Sequence, residues 1–376
     1  MVVEDATLLT RSEAIMYPLG FLAAFRTGAA ISVINQPQIP SVDVAVGSTV
    51  LRLPNNYGTR VRLFYPTTTA AANNNDAAVT MAPYCTDGRQ TSDGMARLVK
   101  FDALGLSFLL AHLANASSGC IADGAIDFNR SDDDNELPLL VYSHGYGGNM
   151  DMATYFFRTM ASKVMIIAAV EHTDGTASST VLKDGEERKF NEYLMTGRQQ
   201  LTRRASEILE AVDFLPKELE RMYPTINIGS VMVGGHSYGA PSAIMAANGA
   251  SADSNISGVI LHDPALGMGY GMLPPNGAKS KIPTVTYTSD EYNKANVRYG
   301  DLTMHVRGAY HGNFVDAPLW APSIIMRFLS ILIPAAGPAN PVEVHEQLAE
   351  SAAAFIRNKN PASPYVMAGS LFEFVE

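Results

Sequence analysis

A serine flanked by two glycines, in Gly235-His236-Ser237-Tyr238-Gly239, carries the strongest chemical signal in the chain. A serine hydroxyl becomes a nucleophile once a neighbouring base removes its proton. The apolar run 228–234 before it predicts a buried strand, and residues 240–247 after it predict a helix. A sharp turn between the two would strain the backbone of Ser237 and lift its hydroxyl above the sheet edge, where flanking glycines leave room. The pattern therefore predicts an accessible, nucleophilic serine.

The base for this serine is expected to be a histidine on a later loop. Three histidines follow the acids considered below: His305, His311 and His345. His305 lies inside a strand pattern, and His345 lies in a charged helix pattern where an exposed side chain is expected. His311 comes just after a predicted strand and is bracketed by glycines, so its loop could hold an imidazole over the sheet edge. The sequence favours His311.

An acid must orient that imidazole and stabilise its charged form. Two aspartates lie between Ser237 and His311 and follow predicted strands, Asp263 after residues 258–261 and Asp290 after residues 283–288. Their spacing does not separate them. The aspartate that is not used is expected to cap a loop at the surface.

Two backbone N–H groups are needed to hold the negative charge that forms on an attacked ester oxygen. One is expected from Tyr238, the residue after the serine. The other is expected from Tyr146, in the glycine-rich turn that follows the apolar run 137–142. His144, His172 and His236 are interpreted as structural hydrogen-bonding residues.

The elements that must position these groups alternate between strand and helix. Strands are predicted at residues 59–65, 137–142, 164–170, 228–234, 258–261, 282–288 and 303–306, and helices at 149–162, 184–216, 240–247, 321–332 and 342–357. This order predicts a mostly parallel central sheet with helices on both faces, and the strand–serine–helix turn is typical of the α/β-hydrolase fold. We expect a single domain over residues 1–376, with an N-terminal extension at residues 1–50.

Composition and charge exclude several classes of protein. The chain has 376 residues, 47% hydrophobic side chains and a net charge of −10, which argues against nucleic-acid partners. No His/Cys cluster or glycine-rich phosphate loop indicates a metal or another cofactor, and none is expected. Cys85 and Cys120 are interpreted as free thiols. Without a clean signal peptide or membrane span, a cytoplasmic location is favoured over secretion.

Five segments resemble the plasma and type II platelet-activating-factor acetylhydrolases, the lipoprotein-associated phospholipase A2 family. They are Tyr142-Ser143-His144-Gly145, residues 168–174 (AAVEHTD), residues 235–239 (GHSYG), Leu261-His262-Asp263 and residues 307–316 (RGAYHGNFVD). The resemblance implies a calcium-independent serine esterase that removes short or oxidised acyl groups from the sn-2 position of phospholipids. It also places the acid at Asp263. The family's Asp-Ala-Trp is Asp263-Pro264-Ala265 here, and its Glu-His-Arg-Asp is Glu171-His172-Thr173-Asp174, departures that bear on substrate preference.

The expected function is therefore a serine esterase with Ser237, Asp263 and His311 as catalytic residues and a phospholipid or another ester as substrate. A cutinase-like, polyester-cleaving or general carboxylesterase is the alternative, with its acid near Asp290. A binding protein that retains the fold without turnover is the rival from another class. The oligomeric state is left open.

The apolar segment Met95–Ala114 predicts a helix with two interpretations. Its apolar residues cover more than one face, so it could be buried between the sheet and its neighbours. Alternatively it could be an interfacial or lid helix that contacts a lipid surface peripherally, since an acidic protein must gain membrane affinity from apolar area.

Overall fold

A computed structural model describes the part of the chain that builds the sheet and its covering helices. The described residues are 42, 44–68, 79–98, 100–103, 105, 107–127, 136–191, 193–194, 197–251, 254–275, 277, 280–294, 298–320 and 336–375. The predicted helix 321–332 and most of the expected N-terminal extension lie outside them.

Strands form one large sheet and one small hairpin in the described chain. In chain order they are β1 (Val46–Arg52), β2 (Arg60–Pro66), β3 (Met81–Pro83), β4 (Ser117–Ala122), β5 (Glu136–Ser143), β6 (Ile166–Glu171), β7 (Ser179–Val181), β8 (Glu187–Lys189), β9 (Asn227–His236), β10 (Ile256–His262), β11 (Thr284–Thr288), β12 (Leu302–Val306) and β13 (Phe372–Phe374). The large sheet has the order β3-β4-β1-β2-β6-β5-β9-β10-β11-β12-β13, and β7 pairs with β8. The run from β6 to β12 is parallel, whereas β2 and β13 flank it antiparallel.

Helices cover both faces of this sheet. Those in the described residues are α1 (Arg89–Leu98), α2 (Thr154–Ala161), α3 (Arg198–Met222), α4 (Gly239–Gly249), α5 (Asp290–Lys294) and α6 (Pro341–Asn358). Alternate residues of each central strand point to opposite faces. On β5, Leu140 packs in the core that holds α2 and α6, whereas Leu139 and Val141 pack in the core that holds α3 and α4. The predicted layers, a mostly parallel sheet between helices, are confirmed.

The predicted helix Met95–Ala114 is wrong as a single helix. The chain forms α1, which ends at Leu98, and then two short 3₁₀ segments, Ser107–Leu109 and Ala111–Asn115. Met95 and Leu113 bury their side chains in one small core, whereas Phe108 is 65% exposed. Turns that fold the segment back on itself, and not one continuous helix, explain why apolar residues recur on more than one helical face.

The predicted helix 184–216 is also placed differently. The residues after Asp184 form strand β8, and the helix is α3, which continues past Pro216 to Met222. Leu215 and Leu219 on either side of the proline are buried against the sheet. Packing of the apolar face therefore holds the helix together across the residue that was expected to end it.

Two smaller expectations concern the cysteines and membrane spans. Cys85 and Cys120 are both buried and unbridged, and burial raises the pKa of both thiols. Every helix in the described residues is too short or too polar to cross a bilayer.

Candidate active site

The turn between β9 and α4 holds Ser237 in a left-handed backbone conformation, with a φ of 54°. A side chain at Gly239 would place its Cβ 2.1 Å from the backbone oxygen of Ser143, and one at Gly235 would lie 2.5 Å from the backbone of Gly239. Both glycines are therefore required sterically, because strand β5 passes directly under the turn. The Ser237 N–H donates to the oxygen of His262 on β10, 3.0 Å away, which fixes the turn to the neighbouring strand.

Asp263 and His311 meet at the carboxyl edge of the parallel strands. Asp263 follows β10 with a φ of 46° and is fully buried. His311, which follows β12, donates from Nδ1 to Oδ2 of this aspartate over 2.6 Å. The other carboxylate oxygen accepts the N–H of Ser289 at 2.7 Å. Since Nδ1 carries the hydrogen, Nε2 of the neutral imidazole is the acceptor nitrogen.

Aromatic rings hold the imidazole of His311 from two sides. The ring of His236 lies 4.5 Å away between centroids, and that of Tyr292 stacks at 5.5 Å. Burial lowers the pKa of His236 well below its usual value, and the nearby His311 lowers it further. His236 is therefore neutral and adds no charge beside His311. The backbone N–H of His311 donates to Glu291 of α5 at 2.9 Å.

The glycine-rich turn after β5 lies against the serine. A Cβ at Gly145 would lie 3.1 Å from the Cβ of Ser237, and Gly147 adopts a φ of 73°. The structure brings Tyr146 and Tyr238 together on this side of Ser237, with ring centroids 6.2 Å apart. Tyr238 is the N-cap residue directly before α4, at the helix end where backbone N–H groups have no acceptor within the helix.

A cavity of about 170 Å³ joins these groups. Ser237, His311, Gly145 and Tyr146 all line it. Its other walls include apolar side chains, contributed by Leu98, Met152, Ala153, Phe157 and Val315. Sequence reasoning missed these wall residues, because they lie on elements whose apolar side chains read simply as core.

The competing acid, Asp290, is placed elsewhere. Its Oδ1 is bonded to Nε2 of His305 at 2.7 Å and accepts the N–H of Gly308 at 3.1 Å. The third histidine, His345, is fully buried in α6 and is not exposed as expected, because its ring packs against Tyr155 of α2 and its Nε2 donates to the oxygen of Val315. Burial lowers the pKa of His345 to about 4.

His172 occupies a buried hydrogen-bonded chain behind the site, in line with its structural interpretation. It bonds Ser143 Oγ through Nε2 and Glu207 Oε2 through Nδ1, both at 2.7 Å. Burial raises the pKa of Glu207 to about 7. Among the described residues, no group of three or more His, Cys, Asp or Glu side chains is arranged to hold a metal ion.

Comparisons with known proteins identify a family that the chain matches over most of its length. Residues 32–366 match the sequence profile of the family described as platelet-activating factor acetylhydrolase, isoform II. A platelet-activating factor acetylhydrolase from Canis lupus familiaris is 24% identical in an alignment of 250 residues, and the match covers 58% of this chain and 53% of the relative. One from Bos taurus is 26% identical in an alignment of 249 residues, and the match covers 56% of this chain and 52% of the relative. The chain thus spans about half the length of the curated relatives it matches.

The fold itself is shared with a solved esterase. A ferulic acid esterase from Streptomyces cinnamoneus superposes with a TM-score of 0.62 at 19% identity, covering 91% of this chain and all of that one. At this identity the likeness concerns the fold, and it confirms the α/β-hydrolase prediction.

Proposed function

Because the chain belongs to the platelet-activating factor acetylhydrolase, isoform II, family, we propose that it is a serine esterase, which hydrolyses carboxylic esters through an acyl-enzyme. The hydrogen bond between Asp263 and His311, beside the cavity that Ser237 lines, carries this proposal. Ser237 is the nucleophile, His311 the general base and acid, and Asp263 the group that orients the imidazole.

The proposed reaction proceeds in two halves. Nε2 of His311 takes the proton of Ser237 as its oxygen attacks the ester carbon, and the imidazolium then protonates the leaving alkoxide. Water repeats the sequence on the acyl-enzyme and releases the acid. The backbone N–H groups of Tyr146 and Tyr238 hold the oxyanion in both halves.

A short or oxidised acyl group at the sn-2 position of a phospholipid is the proposed substrate. Two observations support it: the names of the curated relatives, and a cavity of about 170 Å³ whose apolar walls suit a small acyl group. The rate of hydrolysis of short-acyl phosphatidylcholine, compared with the rates on p-nitrophenyl esters and polyester film, tests this substrate preference. Turnover of the film in preference to the lipid would favour the cutinase-like alternative.

Replacement of the nucleophile tests the activity itself. Ser237→Ala is expected to abolish ester hydrolysis and labelling by a fluorophosphonate probe, while the melting temperature changes little. Ser230→Ala, a buried serine on the same strand but outside the cavity, is the control and should retain both. Wild-type turnover in purified Ser237→Ala would overturn the assignment. Wild-type protein that neither reacts with the probe nor cleaves any ester would favour a binding protein.

A further inference from the structure

The guanidinium of Arg204 lies beneath the glycine-rich turn at residues 144–148. Arg204 belongs to α3 and is fully buried. Its Nη1 donates to the backbone oxygen of His144 at 2.5 Å, and its Nη2 contacts the backbone oxygen of Gly145 at 3.4 Å. The Gly145 oxygen also accepts hydrogen bonds from Nδ1 of His144 at 2.8 Å and from the N–H of Gly148 at 3.0 Å. Asp174 balances its charge, 3.0 Å from Nε. A buried, paired arginine thus holds consecutive carbonyls of the turn.

Arg204 also binds a second segment, residues 174–178, which is hydrogen-bonded to the turn. Arg204 Nη2 donates to the hydroxyl of Thr176 at 2.6 Å, and that hydroxyl also bonds both oxygens of Asp174. The backbone oxygen of Thr176 accepts the N–H of Gly147 at 2.8 Å, and Ser178 N–H donates to the oxygen of Gly148, also at 2.8 Å. The peptide groups of the turn are therefore held on their buried side by residues 174–178 and Arg204.

The hydrogen bonds to the Gly145 oxygen fix the direction of the Tyr146 N–H. The peptide bond between Gly145 and Tyr146 is planar and trans, so its C=O and N–H point in opposite directions. The three donors to the Gly145 oxygen, which are His144 Nδ1, the Gly148 N–H and Arg204 Nη2, consequently turn the Tyr146 N–H away from the guanidinium. Hydrogen bonding to the carbonyl also polarises the amide, which makes the N–H a stronger donor.

Arg204 also reaches the second amide-bearing residue. Its guanidinium carbon lies 4.9 Å from the ring centroid of Tyr238, the residue after the serine. One side chain thus contacts the Gly145 oxygen, in the peptide group that carries the Tyr146 N–H, and the ring of Tyr238. Lysine could not do the same, because its single ammonium group lacks the planar set of five donors in fixed directions.

We propose that Arg204 is a positioning residue for the oxyanion hole. It fixes the turn that carries Tyr146 by binding the His144 carbonyl and Thr176, shares the Gly145 carbonyl with His144 and Gly148, and packs against the ring of Tyr238. This rests on the proposed esterase function. Arg204 touches no substrate atom; it acts through the turn. Its effect is therefore expected in the transition state, where the oxyanion forms, and not in binding of the ground-state ester.

Arg204→Lys tests the proposal. With p-nitrophenyl acetate, kcat is expected to fall about 10- to 100-fold while KM changes little, by comparison with the loss of a direct oxyanion donor. Affinity for a trifluoromethyl ketone, which forms a tetrahedral oxyanion on the serine, should fall by the same factor. Arg62→Lys is the matched control, because Arg62 is also buried, pairs with Asp151 and donates to two backbone oxygens, those of Pro83 and Tyr84.

The control separates positioning from stability. Arg62→Lys should lower the melting temperature by a similar amount but leave kcat close to wild type when measured well below that temperature. If both variants lose kcat only in proportion to unfolded protein, or if Arg204→Lys keeps the wild-type kcat and ketone affinity, the proposal is wrong.

A second variant covers the case in which Arg204→Lys does not fold. Thr176→Val keeps the side-chain volume but removes the hydroxyl that Arg204 and Asp174 share. A smaller fall in kcat and ketone affinity, again without a change in KM, is expected; unchanged values of both would contradict the proposal. Ser237→Ala run in parallel distinguishes the two hypotheses, because residual wild-type activity there would defeat the esterase function and not the role of Arg204 alone.

Discussion

Asp263 and Asp290 both follow parallel strands, but their side chains are used differently. Asp263 has a strained, positive φ, and its two oxygens hold His311 and the N–H of Ser289. Asp290 instead bonds His305 and caps Gly308, in the loop that leads to His311. At the residue scale, one aspartate holds the imidazole and the other holds the loop that carries it.

Replacing each acid by its amide should separate these roles. Asp263→Asn is expected to lower kcat by about 10⁴-fold, because an amide no longer favours the tautomer with hydrogen on Nδ1. Asp290→Asn retains an oxygen that can accept the Gly308 N–H, so its kcat should fall far less. Steady-state kinetics on one soluble ester decide the matter. A larger loss in Asp290→Asn would assign the acid to Asp290 and favour the cutinase-like alternative.

At the scale of elements, the turn from β9 into α4 depends on close backbone packing. Gly239→Ala would drive a methyl group to 2.1 Å from the oxygen of Ser143, a backbone atom that cannot move without displacing β5. We expect a loss of about 1–3 kcal/mol in the free energy of unfolding, together with loss of activity.

Gly249→Ala, at the last residue of the same helix, is the control for that change. A Cβ there meets nothing within 4 Å, so stability should hold or rise by about 0.5–1 kcal/mol, the usual effect of alanine in place of glycine in a helix. Urea unfolding monitored by circular dichroism gives both values. Equal stability and activity of the two variants would show that the turn does not need its glycine.

The segment after α1 is the element that could contact lipid. Leu98 at the end of α1 lines the cavity, and the exposed Phe108 follows on the 3₁₀ segments that pack against α1. Phe108→Ser is expected to weaken binding to phosphatidylcholine vesicles by about 10- to 100-fold, since a phenyl ring in apolar surroundings contributes about 1.5–3 kcal/mol. Hydrolysis of p-nitrophenyl acetate should be unchanged.

Tyr365 offers a matched control for this surface. It is 72% exposed, and the backbone oxygen of its neighbour Val366 accepts a hydrogen bond from Ser351 in the middle of α6. The residues that line the cavity come from other elements. Tyr365→Ser should leave vesicle binding unaltered. Cosedimentation measures both variants; equal binding of Phe108→Ser and wild type would exclude this residue as a lipid contact.

At the scale of the whole molecule, burial of histidines between the sheet and its helices makes stability depend on pH. His345 in α6 donates to the backbone oxygen of Val315, and burial lowers its pKa to about 4. In the unfolded chain the pKa returns to about 6.5. Between these values the unfolded state binds a proton that the folded state does not, so the stabilisation from neutral His345 is present above pH 6.5 and is lost as the pH falls towards 4.

His345→Gln should remove this dependence while its amide still donates to Val315. The free energy of unfolding of the wild type, relative to the variant, is expected to fall by up to about 1.4 kcal/mol per pH unit from pH 6.5 to 4. Urea unfolding at several pH values measures the difference, and the other titrating groups largely cancel in it. A difference that does not vary with pH would show that His345 does not stay neutral in the folded protein.

The local features of the site could be predicted from the sequence because they depend on neighbouring residues. Apolar runs identified the central strands, and glycines on either side of Ser237 identified the turn. The glycines after β5 likewise indicated the loop that the structure brings against Ser237. Each of these follows from backbone sterics or from strand periodicity within about ten residues.

Only the tertiary structure decided which distant groups meet. Asp263 and Asp290 are alike in spacing because both follow parallel strands that end at one edge, and only the resemblance to a known family favoured Asp263. The structure shows which carboxylate reaches His311. Arg204 and Leu98 come from helices that the sequence marks only as amphipathic or apolar. His345 was predicted to be exposed, but its ring is buried against Tyr155 of α2. The broken helix at Met95–Ala114 and the unbroken one at Pro216 have the same cause: packing between segments remote in the chain outweighs local propensity, and local patterns carry no information about it.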